Sequence, residues 1–404
     1  MVLGATYDVG RVRSWFPALH AGPAAGLARF DAPGGSLVPQ QVADAVAATL
    51  TAGLNQRGTL HAHERLAESV VQECRAALGD LLGTDPRGVV VGRSATALVM
   101  QLAATLAHSW GPGDEVVVCE LDHDSNIRPW VIAAERAGAT VRRLGFDPAT
   151  GEVDDVEPLI GERTRVVAIT GASNLVGTRP DAERVAAAAH AVGALVHVDA
   201  VHLVPHAPVD RSALGADLLT CSPYKFFGPH LGALAADPAL LESLRPDKLL
   251  PSSDAVPERF ELGTLPYELL AGTTAAVEVI ADLVPGTGTR RERIATSMAA
   301  LETHEAGLLA HLLAGLAELD GVTVHGRARR RTPTVLLTVA GREPRAVSEH
   351  LAGHGVVAPA SSFYALEASR ALGLGDAGGV RVGLAGYTTR AEVDRLLEGL
   401  AALG

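Results

Sequence analysis

Asp199 and Lys225 open the case for chemistry in this chain. Asp199 ends the apolar run Leu195–Asp199, and Lys225 ends the turn Ser222-Pro223-Tyr224-Lys225 that follows the run Asp217–Thr220. If the two runs are neighbouring parallel strands, a carboxylate and an amine meet at one edge of a sheet. Pyridoxal phosphate (PLP) uses such a pair: the amine forms a Schiff base with its aldehyde, and the carboxylate keeps the ring nitrogen protonated as an electron sink. The plainer alternative is an ion pair that ties two loops together. Three more segments bear on the choice. Val89–Val91 passes through Gly92-Arg93 into Ser94-Ala95-Thr96 at the head of a helical pattern. Free N–H groups and the dipole of a helix start can hold a phosphate there, although an ordinary N-cap reads the same way. His123, beyond Glu115–Cys119, can lay a flat ring over an aromatic cofactor, or sit in a capped turn paired with Asp122 or Asp124. Asn174, beyond Val166–Thr170, can donate to a phenolate oxygen. Together these run ends carry groups that one cofactor can use.

Hydrophobic periodicity indicates the elements that must position these groups. The runs named above, with Val141–Arg143, alternate with helical patterns over Thr96–His108, Pro129–Ala137 and Asp181–Val192. Runs that are apolar on both faces belong between two helix layers, in a mostly parallel sheet whose ligands lie beyond the carboxyl ends of the strands. Past Pro238 the pattern changes: Pro246, Pro251 and Pro257 mark an irregular stretch. Helical patterns over Tyr267–Leu283, Arg290–Glu318, Arg345–Gly353 and Arg390–Leu403 then mix with strand-like Val322–His325, Thr334–Val339 and Val380–Leu384. The expected fold is α/β, a large domain with a mostly parallel mixed sheet sandwiched by helices plus a smaller α+β domain. Its boundaries are expected at 1–26 for an N-terminal segment packing on the small domain, 27–285 for the large domain and 286–404 for the small one.

Composition narrows the partners. A hydrophobic content of 48% over 404 residues excludes a disordered chain. Lys+Arg 34 against Asp+Glu 46 leaves a net charge of −12, which disfavours nucleic acid and anionic membrane surfaces. Cys74, Cys119 and Cys221 are too scattered for a disulfide framework or a CxxC metal site. No apolar stretch approaches the ~18 residues of a membrane span. The start MVLGATYDVGRVRSW carries no secretory pattern, so a cytoplasmic location is expected. His202 and His206 are four apart, but Pro205 falls between them and no HExxH glutamate is present, so no metal is expected there. Arg327, Arg329, Arg330 and Arg331 read as a solvated loop, and no GxSxG elbow supports a hydrolase.

Several motifs go further than composition. VDAVH at 198–202 is followed by SPYK, NIRPW follows His123, and DVGRVRSWFPALH and VGLAGYTTRAEVDRLLEGL stand near the two ends. Over nearly its whole length the chain resembles the class V aminotransferase superfamily of PLP fold type I, in its cysteine desulfurase-like branch. The resemblance implies that Lys225 is the Schiff-base lysine, Asp199 the partner of the pyridine nitrogen and His123 the residue stacked on the ring. It places Asn174 and His202 near the phenolic oxygen, and Ser94, Ala95, Ser222 and Tyr224 at the phosphate. It implies a homodimer in which Thr264 of Glu261-Leu262-Gly263-Thr264 reaches the partner's cofactor, and it makes Arg381 the bidentate partner of a substrate carboxylate. Asn174 stands beside that substrate position.

One departure stands out. Related desulfurases carry a mobile-loop cysteine, whereas Ala358–Ala365 holds none, and Cys221 is on a strand that cannot swing out. Tyr224 also stands where many desulfurases have a His. The expectation is a PLP enzyme acting on an amino acid or small amine, foremost a C–S or β-elimination lyase without a persulfide cysteine. Groups around Ser361–Tyr364 would select the bond broken. A class V aminotransferase or amino-acid epimerase is the alternative, and a non-catalytic PLP-fold binding protein is the rival of another class.

Overall fold

Valine-rich runs build the centre of the molecule. In the computed structural model, which describes residues 7–403, seven strands form one sheet. They are β1 (Val89–Gly92), β2 (Glu115–Cys119), β3 (Thr140–Leu144), β4 (Thr164–Thr170), β5 (Leu195–Asp199), β6 (Leu218–Cys221) and β7 (Gly232–Ala236). Their order is β1-β7-β6-β5-β4-β2-β3, with β7 antiparallel to both neighbours and all other pairs parallel. Residues 1–6, where the N-terminal segment and the leader reading begin, lie outside the described residues, as does Gly404.

Alternation along the strands explains the apolar runs. Val90, Val116, Val118 and Val166 enter a core shared with helices Ala95–Ala107 and Arg128–Ala137. Their neighbours Val89, Val91, Val117 and Val167 enter the core on the opposite face, with helices Ala62–Leu82 and Tyr267–Ala281. Each valine buried in this way contributes about 1.5–3 kcal/mol relative to exposure, so a polar residue at Val117 would break the sheet from within. Gly138, at φ 74°, ends the helix Arg128–Ala137 by taking the left-handed conformation that a side chain resists.

Several elements escape the sequence reading, three of them around the first sheet. Helices Gln40–Thr51 and Ala62–Leu82 lie ahead of the first valine run. Strand β7 reads Gly-Ala-Leu-Ala-Ala, which has no β-branched residue and therefore no strand signal. The turn after β6 reverses the chain, which makes β7 the antiparallel member.

A second unit holds β8 (Val322–His325), β9 (Thr334–Val339), β10 (Ala360–Ser361) and β11 (Gly379–Gly383), antiparallel in the order β10-β11-β9-β8. Its core joins Val335, Leu337, Val380 and Val382 to Leu351 and Leu396 of two covering helices. The helix Arg290–Ala317 links the units. It starts on a capping box in which the Thr289 N–H donates to Glu292 Oε2 at 2.8 Å. Ile294, Met298 and Leu301 pack into the first core, and Leu308, Leu312 and Leu316 into the second. The chain's start is also shared. Val12, Phe16 and Leu19 enter the first core, Arg13 pairs with Glu392 at 2.9 Å in the second unit, and Ala28 and Phe30 enter the second core. No helix among the described residues is long and apolar enough to cross a membrane.

Candidate active site

Register decides where the polar strand ends meet. Thr170 pairs with Asp199 and Asp199 with Thr220, so β4, β5 and β6 finish level with one another. Beyond them lies a cavity of ≈ 380 Å³. Ser94, Ala95, Thr96, His123, Asn174, Asp199, His202, Ser222, Tyr224, Lys225 and Arg381 all line it. Thr264 does not: it is exposed on the loop after Glu261, over a separate hollow shared with Gly92 and Arg93.

The electrostatics at the sheet edge favour reactive forms. Burial pulls the Lys225 ammonium down to about 7, nearby Arg381 adds to the shift, and Asp199 opposes it. The Lys225 Nζ donates to the Pro33 carbonyl. Burial pushes the Asp199 carboxyl up to about 6, against the Val201 N–H that donates to its Oδ1 at 2.9 Å and against Lys225. His123 is pulled down to about 4 by burial, Lys225 and Arg381, so its ring is neutral. The Ser125 N–H donates to His123 Nδ1 at 3.1 Å, which leaves the ring proton on Nε2. The Tyr364 ring lies on His123 with centroids 5.4 Å apart and planes 21° apart.

The turn after β1 has the chemistry of an anion site. Ser94 caps the helix by accepting the Ala97 N–H at 3.1 Å, while the Ala95 and Thr96 N–H groups stay unbonded within the described protein. Strand β7 approaches this turn so closely that a Cβ on Gly232 would lie 2.2 Å from the Ser94 carbonyl carbon. An amine of lowered pKa, a buried carboxylate, a flat neutral imidazole and an open helix end thus converge, and a pyridine aldehyde bearing a phosphate fits that donor set. Opposite them, Arg381 is buried with its guanidinium 3.7 Å over the Phe363 ring. Its Nη1 donates to the Asn174 carbonyl at 3.0 Å, and its Nε has no partner.

Comparison with known proteins now decides the family. A sequence profile described as Aminotransferase class-V matches residues 29–396. The chain belongs to the class V aminotransferase family. An uncharacterized protein of Mycobacterium tuberculosis (strain CDC 1551 / Oshkosh) is 36% identical over 407 residues, 98% of this chain and 100% of that one. A probable cysteine desulfurase of Mycolicibacterium paratuberculosis (strain ATCC BAA-968 / K-10) is 30% identical over 98% of this chain and 59% of its own length. The crystal structure of the cysteine desulfurase CsdA from Escherichia coli superposes with a TM-score of 0.84 at 26% identity, covering 98% of both chains. The chain is therefore a PLP-dependent enzyme of the cysteine desulfurase-like group, with the expected fold.

Several details of this member of the class V aminotransferase family go beyond the sequence reading or differ from it. Neither Asp122 nor Asp124 holds the His123 ring: Asp122 accepts from Asn126 at 3.2 Å and Asp124 from Arg128 at 3.2 Å. The Asn174 Nδ2 gives one of its two N–H groups to the Phe363 carbonyl at 2.9 Å, and its buried Oδ1 has no partner. In the arginine run, Arg327, Arg329 and Arg330 are exposed, but Arg331 turns inward and donates to the Val176 and Thr334 carbonyls. His202 and His206 spend their bonds on Thr334 and Glu305. All three cysteines are buried, with thiols pushed above their ordinary range by desolvation, and none lines the cavity. Pro33, Gly34 and Thr170 line the cavity without having been foreseen, since proximity alone brings them there.

Proposed function

We propose that this PLP enzyme takes an α-amino acid, docks its carboxylate on Arg381 and eliminates a β-substituent, as a C–S lyase that forms no persulfide on its own chain. The observation that carries the reading is the buried Arg381 guanidinium with a free Nε at the wall of the same cavity as Lys225. Asp31 favours the Arg381 charge but pairs with Arg29 and not with it, so the buried guanidinium is left without an ion pair, which costs several kcal/mol that a carboxylate would offset through two parallel bonds. Phe363 covers one face of the guanidinium, so an acceptor approaches along its edge.

Bound PLP supplies an aldehyde that condenses with amines and a protonated ring that accepts an electron pair. Asp199 would keep the proton on the ring nitrogen, and His123 would face the ring from the cavity wall. The amine of Lys225, neutral near pH 7, takes the proton from the substrate Cα and returns it to the product. The Ala95 and Thr96 N–H groups, with Ser222 and Tyr224, hold the phosphate. Phe363 and Tyr364 line the same cavity. Sulfur relay needs an accessible thiolate, and burial denies that form to Cys74, Cys119 and Cys221. In a homodimer the exposed Thr264 extends toward the partner's phosphate.

Incubation of the holoenzyme with single amino acids tests the reading. Sulfide together with pyruvate and ammonia, released from cysteine without an amino acceptor, supports it. Keto acid that appears only when a second amino acceptor is added replaces it with aminotransfer. Sedimentation of the active form as a monomer would remove the role given to Thr264.

A further inference from the structure

A buried line of side chains leads from the cavity wall into the seam between the two cores. Glu305 stands on the helix Arg290–Ala317 between Leu301, which packs in the first core, and Leu308, which packs in the second. Its Oε2 is 2.9 Å from His206 Nδ1, while its Oε1 is buried with no partner. The His206 ring meets the His202 ring edge to face, with centroids 5.2 Å apart and planes at 68°. His202 Nε2 lies 2.9 Å from Thr334 Oγ1 at the start of β9. Its Nδ1 makes no hydrogen bond among the described residues, and the residue lines the cavity beside Asp199 and Lys225. Both histidines therefore come from the turn after β5, and each bonds to a residue outside the first sheet.

A carboxylate at this seam is an expensive brace. Apolar side chains like its neighbours Leu301 and Leu308 would join the two cores without a desolvation cost. The charged and titratable groups facing His202 are His206, Arg381 and Lys225, and with burial they press its pKa well below the ordinary range, so its ring is neutral. Those facing Glu305 are His206, Glu302 and Tyr7, with burial raising its carboxyl and His206 lowering it. A histidine bonded through Nδ1 to a carboxylate has its ring orientation set by that bond.

We propose that His206 and Glu305 are a positioning pair: Glu305 orients the His206 imidazole, and His206 fixes the ring of His202 at the wall of the cavity that would hold the cofactor. The pair holds no metal and touches no substrate. It acts through His202, whichever bond the enzyme breaks, so the inference depends on PLP binding in this cavity and not on the lyase reading.

The test uses the holoenzyme and its visible absorption band, titrated with pH, together with PLP retention in equilibrium dialysis. In Glu305→Gln and His206→Gln the His202 ring loses the contact that orients it at the cavity wall. The midpoint of the band is expected to move by about one unit from wild type, and PLP to be retained less well. In a His202→Gln background, Glu305→Gln should add nothing further to the midpoint. A wild-type midpoint and PLP affinity in Glu305→Gln, with only a lower melting temperature, would reduce the pair to a brace and overturn the proposal. An undiminished shift in the His202→Gln background would overturn it too. If Glu305→Gln fails to fold, His206→Gln and its double with His202→Gln carry the same comparison. Loss of the band in Lys225→Ala checks cofactor binding separately.

Discussion

Replacing Arg381 by Gln removes the charge and the planar fork while keeping much of the side-chain volume. A hydrogen bond to a charged group contributes about 1.5–3 kcal/mol, so two parallel bonds to a carboxylate amount to about 3–6 kcal/mol. At 1.4 kcal/mol per factor of ten, kcat/KM for an amino acid should fall about 10²–10⁴-fold. Arg381→Lys keeps the charge but presents no fork, and should recover only part of that loss. The free protein should respond in the opposite sense. Arg381 is 3% exposed with Nε unbonded, and burial pulls its pKa down to about 9, so removing it relieves a desolvation cost. Loss of the contact with Phe363 at 3.7 Å opposes that gain by about 1–2 kcal/mol. Steady-state kinetics on an amino acid and on the matching amine without a carboxylate separates the effects, because the amine should be insensitive to the substitution. Wild-type kcat/KM for the amino acid in Arg381→Gln, or equal losses on both substrates, would refute the carboxylate role.

Asp199→Asn addresses the cost of the buried carboxylate. Its folded-state pKa, about 6, lies above the ordinary 3.8, so the native state binds the extra proton and stability from this group falls as pH rises between those values. The PLP-free variant should therefore be more stable than wild type at pH 8 by about 3 kcal/mol, and no more stable below pH 4, by urea unfolding. Turnover should be abolished. Gly232→Ala places a Cβ against the backbone of Ser94, which cannot give way as a flexible side chain would, and should cost about 2 kcal/mol or more while weakening PLP retention. Because the Lys225 amine loses its proton near 7, the rate of PLP uptake by the apoenzyme should climb with pH and level off above pH 8. A rate still climbing at pH 10 would show an ordinary lysine.

The site was legible because its groups stand at the ends of strands that apolar runs announce. Asp199 and the turn holding Lys225 each follow such a run, and parallel pairing brings their ends level. Residues on a fold's irregular parts gave no such signal. Phe363 and Tyr364 hold φ of 52° and 59°, where a sequence rule expects Gly or Asn, because the Asn174 amide and the Asp124 N–H grip their carbonyls from other segments. Glu305 resembles any solvent-facing glutamate on a long helix until the fold closes a second core over it. Strand β7 stayed invisible because none of its residues is β-branched and its first, Gly232, answers to the narrow space beside the Ser94 turn. Such choices answer to distant neighbours, and only assembly reveals them.

The helix Arg290–Ala317 carries 28 residues, a rod of about 42 Å at 1.5 Å per residue. One half of it is a wall of each core, so melting either would strip a hydrophobic stripe from a shared beam and expose it to water. Neither part owns enough of that beam to survive alone. The protein should come apart as one cooperative body, with a single heat-absorption peak, and a protease cut near Pro285 should yield fragments that stay clasped together rather than a free-standing C-terminal piece.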